Sequence, residues 1–411
     1  MIVAFGALTA CLAAGYGVLF TVLDDYREEY GIAEGSLGAI IGIGFVSAFV
    51  AQILLAPLAD RGHARRIVLL GVFANLVGVT LLAFGTAFVP LLMGRLVMGI
   101  GLGMAMPAIR RIVIIADPDN LGHNLGRLLS IDVAGFAVGP IVSAVFVGPF
   151  GIAAPYLVVV AATVAALPLA WRVDVRENTG EAAANAQRFA FDLLRRRAFV
   201  AAVALGCAMW MMIGAFDSLW AVAHRDLETS RWIANLGITL FALPLVLFGA
   251  LGGRLAQRLG PFRVATVGLT LASMWMLLYG QAATGGIMFA IAMVHAVSDG
   301  LTMSSTGVAV GMVVPAERQA GAQGVLGGFQ TLMAGVMASV AGLAYEHLGR
   351  AAAYTVSAAA MFVVVVVGVL LAGRDWNRTG RVTEGLADSN PSPVPGQPGG
   401  APPALGASAR E

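Results

Sequence analysis

Lysine is absent from this sequence: all 25 cationic side chains are arginine. That bias reads as genomic composition and marks no site. Charge of either sign is scarce. Acidic and basic residues together make up 12% of the 411 residues, against about 25% in a soluble domain. The formal net charge of +2 gives no reason to expect a nucleic-acid partner. Cysteine is almost as rare. Cys11 and Cys207 both fall in apolar runs without metal or redox spacing, so they read as small packing residues. No Walker loop, HExxH, GxSxG or glycine-rich nucleotide loop stands in a usable context. ATP hydrolysis and enzymatic chemistry have no visible machinery, and no cofactor or metal is called for.

What is present is apolar sequence. Hydrophobic residues make up 59% of the chain and the mean hydropathy is +0.85. A single core stops growing near about 250–300 residues, so the excess must face lipid. The 52 glycines suit close approach of helices in a membrane. A crossing needs about 20 mostly apolar residues. Spans are expected near 2–23, 36–57, 67–88, 90–110, 123–147, 152–171, 199–221, 233–252, 263–281, 286–312, 320–343 and 351–373. The first, Met1 to Leu23, has no basic leader and no clear cleavage site, so it reads as an uncleaved span. Two segments depart from the pattern. Residues 172–198 are polar and arginine-rich, with Arg195, Arg196 and Arg197 just before span seven, and residues 374–411 are rich in Pro, Gly, Ser and Ala. The expected organisation is therefore an all-α integral membrane protein. A six-span half at 1–171 and another at 199–373 flank a cytoplasmic linker at 172–198, and 374–411 form a disordered cytoplasmic tail.

Arginine also orients the chain. With a cytoplasmic N-terminus, eighteen arginines fall on the inner side: 61, 65, 66, 110, 111, 172, 176, 188, 195, 196, 197, 254, 258, 263, 318, 374, 378 and 381. Only four, Arg27, Arg225, Arg231 and Arg350, fall outside, where the first loop is instead acidic (Asp24, Asp25, Glu28, Glu29, Glu34). The positive-inside rule puts both termini in the cytoplasm of a cell (inner or plasma) membrane protein. The halves also echo each other. Leu58-Ala59-Asp60-Arg61 follows span two, and Leu255-Ala256-Gln257-Arg258 follows span eight. Parallel repeats with a midplane site are an architecture of secondary transporters.

Three stretches carry a family resemblance. Ala56-Pro57-Leu58-Ala59-Asp60-Arg61-Gly62-His63-Ala64-Arg65-Arg66 resembles the signature loop G-x-L-a-D-R-x-G-R-R of the major facilitator superfamily. Leu58, Asp60, Arg61 and Arg65 match, whereas Ala56, His63 and Ala64 depart from it. The second copy, Gly253 to Gly260, keeps both glycines but has Gln257 for the acid. Gly94-Arg95 followed by Gly99, Gly101 and Gly103 resembles the family's span-four pattern, an intramembrane arginine followed by small residues. Gly135, Gly139 and Pro140, followed by Ser143 and Ala144, resemble the antiporter motif G-x-x-x-G-P-x-x-G-G of span five. The resemblance covers residues 1–373 and implies twelve spans in two pseudo-repeated halves, like the drug:proton antiporters of the family. It also implies that Asp60, with Arg61 and Arg65, latches the halves at the N-terminus of span eleven, where unpaired N–H groups and a positive dipole end are exposed. Alternatively, the arginines merely fix orientation. Independently of family, Gly135 and Gly139 lie one helical turn apart and admit a close neighbour, and Pro140 bends the span.

Ionisable side chains at membrane depth are functional candidates by default. Arg95, Arg127, Asp132, Asp217, His295 and Asp299 qualify. His295 and Asp299 are four apart on one helix face, and Thr302 and Thr306 continue the stripe with Ser298 beside it. A mid-span carboxyl loses solvation on ionising and can take up or release a proton as its surroundings change. The stripe is expected to line the space between the halves, against the alternative of a sealed structural hydrogen bond. Asp217 could meet a substrate cation or carry a proton, or else reach for the outer surface. Arg110 and Arg111, at the inner end of span four, are expected to reach lipid phosphates. Trp210, Met211 and Phe216, with Ser298 and Thr302, are the candidate cavity residues; lipid-facing methionine is the plainer alternative for Met211.

These readings converge on a monomeric secondary transporter whose partners are lipid, protons and a small-molecule substrate. Proton-coupled export of small hydrophobic or drug-like molecules is the leading expectation. The alternatives are an importer or metabolite carrier on the same scaffold, or a non-transporting membrane receptor.

Overall fold

The computed structural model describes residues 1–180 and 188–380. Residues 181–187 of the linker and 381–411 of the tail, Arg381 included, lie outside the described residues. All regular secondary structure among the described residues is helical. Among the described residues, eleven stretches are long and apolar enough to cross a membrane. The last helix, Gln319–Ala372, has 54 residues. At about 1.5 Å per residue it would be more than twice as long as a ~30 Å hydrocarbon core is thick. It leaves helical geometry at Gly349 (φ 82°, ψ 177°) and turns back there, which resolves it into spans eleven and twelve.

The remaining spans, in chain order, are Ile2–Thr21, Glu34–Leu54, Ala64–Phe84, Phe88–Ala116, Leu121–Phe150, Ala153–Trp171, Arg197–Asp226, Arg231–Leu259 and Pro261–Gln281, with span ten in two pieces, Gly285–Thr302 and Ser305–Val313. Several run past the expected ends, because hydropathy marks only the part that sits in hydrocarbon. Span seven, for example, has 30 residues and ends on His224, Arg225 and Asp226.

Two features differ from the expected outline, and one adds to it. Residues Leu23–Tyr30 form a short charged helix where a loop was expected. It is pinned by Tyr26, whose hydroxyl donates to Leu82 O at 2.9 Å and lies 2.9 Å from the Tyr156 hydroxyl. Span ten is broken at Met303–Ser304 instead of running unbroken to 312. The break follows a run of hydroxyls that compete for backbone carbonyls: Ser298 donates to His295 O at 2.7 Å and Thr302 to Ser298 O at 2.9 Å. Third, parts of the linker are ordered, with a tight turn at Phe191–Arg195.

Spans five and eight, and spans two and eleven, join the halves. Gly122 and Gly126 of span five pack backbone to backbone on Gly253 and Gly249 of span eight, with no room for a Cβ. Gln52 and Ile53 of span two pack on Gly324, Gly327 and Gly328 of span eleven, and Phe49 meets Phe329 edge to face at 6.5 Å. All these contacts lie toward the face formed by the loops after spans two, four, eight and ten. The halves are therefore shut at that face.

Candidate functional site

The shut face is organised around Asp60. A tight turn, Ala56–Arg61, follows span two and ends on Gly62 in the left-handed region (φ 81°). This turn presents Asp60, 2% exposed, to the start of span eleven. Its Oδ1 accepts the Ala320 N–H at 2.9 Å and its Oδ2 the Gly321 N–H at 2.7 Å. Ala320 and Gly321 lie in the first turn of the helix that begins at Gln319, so these donors have no partner within the helix. A carboxylate there satisfies both and complements the dipole end.

The cation that pairs with Asp60 is Arg111. It is fully buried, with Nε 3.1 Å from Asp60 Oδ1, and it donates to Arg176 O at 3.2 Å and Asn178 Oδ1 at 2.8 Å. The expectation that Arg111 reaches lipid phosphates is corrected: a buried guanidinium needs acceptors, and Asp60 and the linker supply them. The arginines expected to join the latch lie elsewhere. Arg61 is exposed. Arg65 stacks on Trp171, its Cζ 5.5 Å from the ring centre, within its own half. The second copy of the loop repeats the capping without charge. Gln257 Oε1 accepts the Gly122 N–H in the first turn of span five at 2.7 Å, and Gln257 Nε2 donates to Asp119 O at 2.9 Å.

In the membrane, the polar groups fall into three sets. Arg95 of span four is 2% exposed. Its guanidinium lies over the Tyr16 ring of span one, 4.7 Å from the ring centre, and 5.7 Å from that of Phe45. Nε and Nη1 of Arg95 have no hydrogen-bond partner among the described residues. Phe136, between the two motif glycines of span five, lies 5.8 Å from the Tyr16 ring. Gly135 packs on the Ala10 backbone and Gly139 on that of Gly17 and Val18, so a side chain at either would push span one away. Pro140 lies inside the same helix. The span-four and span-five motifs thus meet at Tyr16.

The second set contains the other acids. Asp217 of span seven is exposed and acts electrostatically on Tyr16 of the opposite half. Asp132 of span five is half-buried and interacts with the Arg110 charge of span four. That partner also redirects Arg110, which was expected to reach lipid phosphates: a charge at that depth is stabilised by an inward acid.

The third set is the polar stripe of span ten. His295 is fully buried and Asp299 is 4% exposed. His295 Nδ1 lies 2.8 Å from the Tyr279 hydroxyl. Its Nε2 lies 3.3 Å from Asp299 Oδ2, in contact with it but not aligned as a hydrogen bond. Phe216 and Phe241 close edge-on over the imidazole, at 6.4 and 5.5 Å. Thr302 packs on Gly268 of span nine. The expectation that this stripe lines the space between the halves is corrected, since these partners enclose it within the C-terminal half. Among the candidate cavity residues, Met211 and Phe216 belong to that half's core, and Trp210 packs against a neighbouring cluster. Ser298 keeps its hydroxyl on its own helix.

Twelve helical spans in two pseudo-repeated six-span halves, with the segment at the end of the second span of each half capping a helix of the other, define a multi-pass membrane protein of the transporter class. The model of the Major Facilitator Superfamily matches residues 5–230 and 219–398. The chain belongs to that superfamily. Among curated proteins it is similar to the quinolone resistance protein NorA of Staphylococcus aureus strain MRSA252, 26% identical over 127 residues, covering 31% of this chain and 33% of that protein. The match spans only about a third of the length of that relative. It is also similar to the multi-drug resistance efflux pump PmrA homolog of Lactococcus lactis subsp. lactis strain IL1403, 26% identical over 275 residues, 63% of this chain and 66% of that protein. Among solved structures, the human organic anion transporter MFSD10 aligns with a TM-score of 0.72 at 15% identity over 89% of this chain and 98% of that one. The proton:xylose symporter XylE aligns at 0.73 and 12% identity over 93% and 97%. At such identities the likeness is one of fold.

Proposed function

We propose that this protein is a secondary transporter that exports small, mostly hydrophobic molecules in exchange for protons, in a cell membrane, with both termini in the cytoplasm. The observation that carries the reading is the pairing of Asp60 with the first turn of span eleven, which joins the two halves at one face only. A carrier needs such a closure to be reversible, so that a central site opens to each side in turn. The eighteen-to-four arginine asymmetry supports a cytoplasmic position for the closed face. The direction of transport is supported by the glycines of the antiporter motif, seated on span one, and by the efflux and drug-resistance names of the relatives.

Asp217, exposed and facing Tyr16 of the other half, is the group that meets a substrate cation or an incoming proton. Asp299, with His295, forms a buried proton site behind it. Asp132 balances the charge of Arg110 in the N-terminal half, and Arg95 rests over the Tyr16 ring. The test is a screen of hydrophobic and cationic compounds in inverted vesicles with an imposed pH gradient. Uptake driven by an acid interior supports export by exchange. Uptake only when proton and substrate move the same way identifies an importer on this scaffold. No uptake or counterflow of any compound would leave only a non-transporting role.

A further inference from the structure

We propose that the chain following span six is a working part of the closure, with Asn178 as the positioning residue that ties Asp60 of one half to the start of span eleven in the other. This rests on the reading of Asp60 as the latch and adds a component that the signature loop does not contain. Asn178 Nδ2 donates to two backbone carbonyls, one from each half: Asp60 O at 2.6 Å and Glu317 O at 3.1 Å. Its Oδ1 accepts from Arg111 Nη2 at 2.8 Å, and the same guanidinium holds Asp60 Oδ1 through Nε at 3.1 Å. One amide therefore fixes the Asp60 backbone, orients the cation that neutralises its carboxylate, and reaches across to the partner half.

The neighbouring residues hold Asn178 in place. Glu177 accepts the Ala64 and Arg65 N–H groups, both at 2.9 Å, and so caps span three. At Gly62, in the left-handed region, a Cβ would come within 2.7 Å of the Asn178 carbonyl oxygen, so the seat requires glycine. Farther along, Asp192 grips Arg318, at the start of span eleven, with contacts of 2.6 and 2.9 Å. The linker is thus tied to the N-terminal half at Glu177 and Asn178 and to the C-terminal half at Asp192.

The other half repeats the seating. The chain after span twelve returns to the loop after span eight, where the Gly380 N–H meets Gln257 O at 3.3 Å and Gln257 Nε2 donates back to Gly380 O at 3.1 Å. Gly260, also left-handed, lies under the Arg378 carbonyl oxygen, 3.3 Å from where its Cβ would be. A passive tether has no reason to be seated twice in the same way. In the copy after span six the donor to both halves sits on the returning chain, at Asn178, whereas in the other it sits on the loop, where Gln257 Nε2 reaches Asp119 O and Gly380 O.

The test uses the full chain in lipid nanodiscs, without substrate, with Cys11 and Cys207 replaced by alanine and spin labels at the exposed positions Arg66 and Arg258, one in each half on this face. The distance between labels reports opening here. Asn178→Ala is expected to raise the ratio of open to closed molecules about fivefold, the effect of losing a hydrogen bond of ordinary net strength. Asp60→Asn is expected to do at least as much, and the double variant no more than Asp60→Asn alone. Glu177→Gln, which keeps the fold's polar seat but weakens the cap, is expected to shift the ratio in the same direction. If Asp60→Asn opens the face while Asn178→Ala and Glu177→Gln leave it shut, or if the effects of Asn178→Ala and Asp60→Asn simply add, the linker is passive and the proposal falls. If Asp60→Asn also leaves the distances unchanged, the latch reading fails first.

Discussion

The Asp60 carboxylate accepts the Gly321 N–H at 2.7 Å across 261 residues of chain. No local propensity brings these groups together; the pairing exists because the halves are rotated against one another so that this face is closed. Asp60→Asn keeps the shape but loses the charge, one of the two acceptors and the counter-ion of the buried Arg111. The dipole contribution alone is about 0.3–1 kcal/mol at a surface and up to ~2 kcal/mol when partly buried. That is enough to move a two-state carrier severalfold toward the form open on this face. The expected outcome is a protein that inserts normally but has lost most of its transport. Wild-type transport rates in the variant would rule out the latch.

Orientation is open to a direct test. The helix Leu23–Tyr30 carries Glu28, which is exposed, on the face opposite Asp60. In a background without native cysteines, Glu28→Cys should react with a membrane-impermeant maleimide on intact cells. Arg258→Cys, exposed on the closed face, should react only after permeabilisation. The reverse pattern would invert the proposed topology.

Apolar runs made the spans legible, since twenty apolar residues in a row have few other uses. The Asp60 loop was legible as a motif and the capping of span eleven as its consequence. Arg110 and Arg111 were not, because two cations at a helix end suit lipid phosphates and buried acids equally well, and only the fold shows which acid is near. Asn178 carries no signal in a polar linker: its role arises from Gly62 and Glu317, which are remote in sequence. The polar stripe of span ten was read correctly as one helix face, with His295 and Asp299 adjacent. Which neighbour that face meets is set by Tyr279, Phe216 and Phe241 from three other spans, and helical periodicity contains no such information.

Asp192 itself adds no pH dependence to the closure near neutrality. Partial burial by itself would raise its carboxyl, but the hydrogen bonds and charge of Arg318 outweigh that and hold it below its ordinary value of 3.8. A depressed value means that the contribution of this pair is fully present above the ordinary value and is lost only as pH falls through the lower, folded one. Between about pH 5 and pH 8 the pair should therefore not titrate. Asp192→Asn should shift the open-to-closed ratio by the same factor at both ends of that range, as read by the spin-label distance. A factor that changes steeply with pH would show that Asp192 is protonated within it.

The last expectation concerns Asp299. It faces His295 Nε2 at 3.3 Å, and the other ring nitrogen lies 2.8 Å from the Tyr279 hydroxyl, all inside the C-terminal half. With Tyr279 accepting from the Nδ1–H, Nε2 keeps its lone pair on the Asp299 side, so a proton taken up by the carboxylate has the imidazole within reach. A shared proton is what a coupling site needs: its presence neutralises the carboxylate and its loss leaves a charge that the surroundings must balance. Asp299→Asn fixes the neutral form. It should abolish pH-driven accumulation yet retain downhill exchange of labelled for unlabelled substrate, because exchange requires no net proton movement. His295→Ala leaves the acid without its partner and should displace the pH optimum, with a smaller loss of rate. Tyr279→Phe removes only the hydroxyl partner of Nδ1, so it should displace the optimum less. A purely structural hydrogen bond would behave otherwise: both Asp299→Asn and His295→Ala would lower thermal stability, and whatever protein survived would keep its proton dependence. Accumulation against a gradient by Asp299→Asn with unchanged pH dependence would move the coupling role to Asp217, the acid that stands exposed opposite Tyr16.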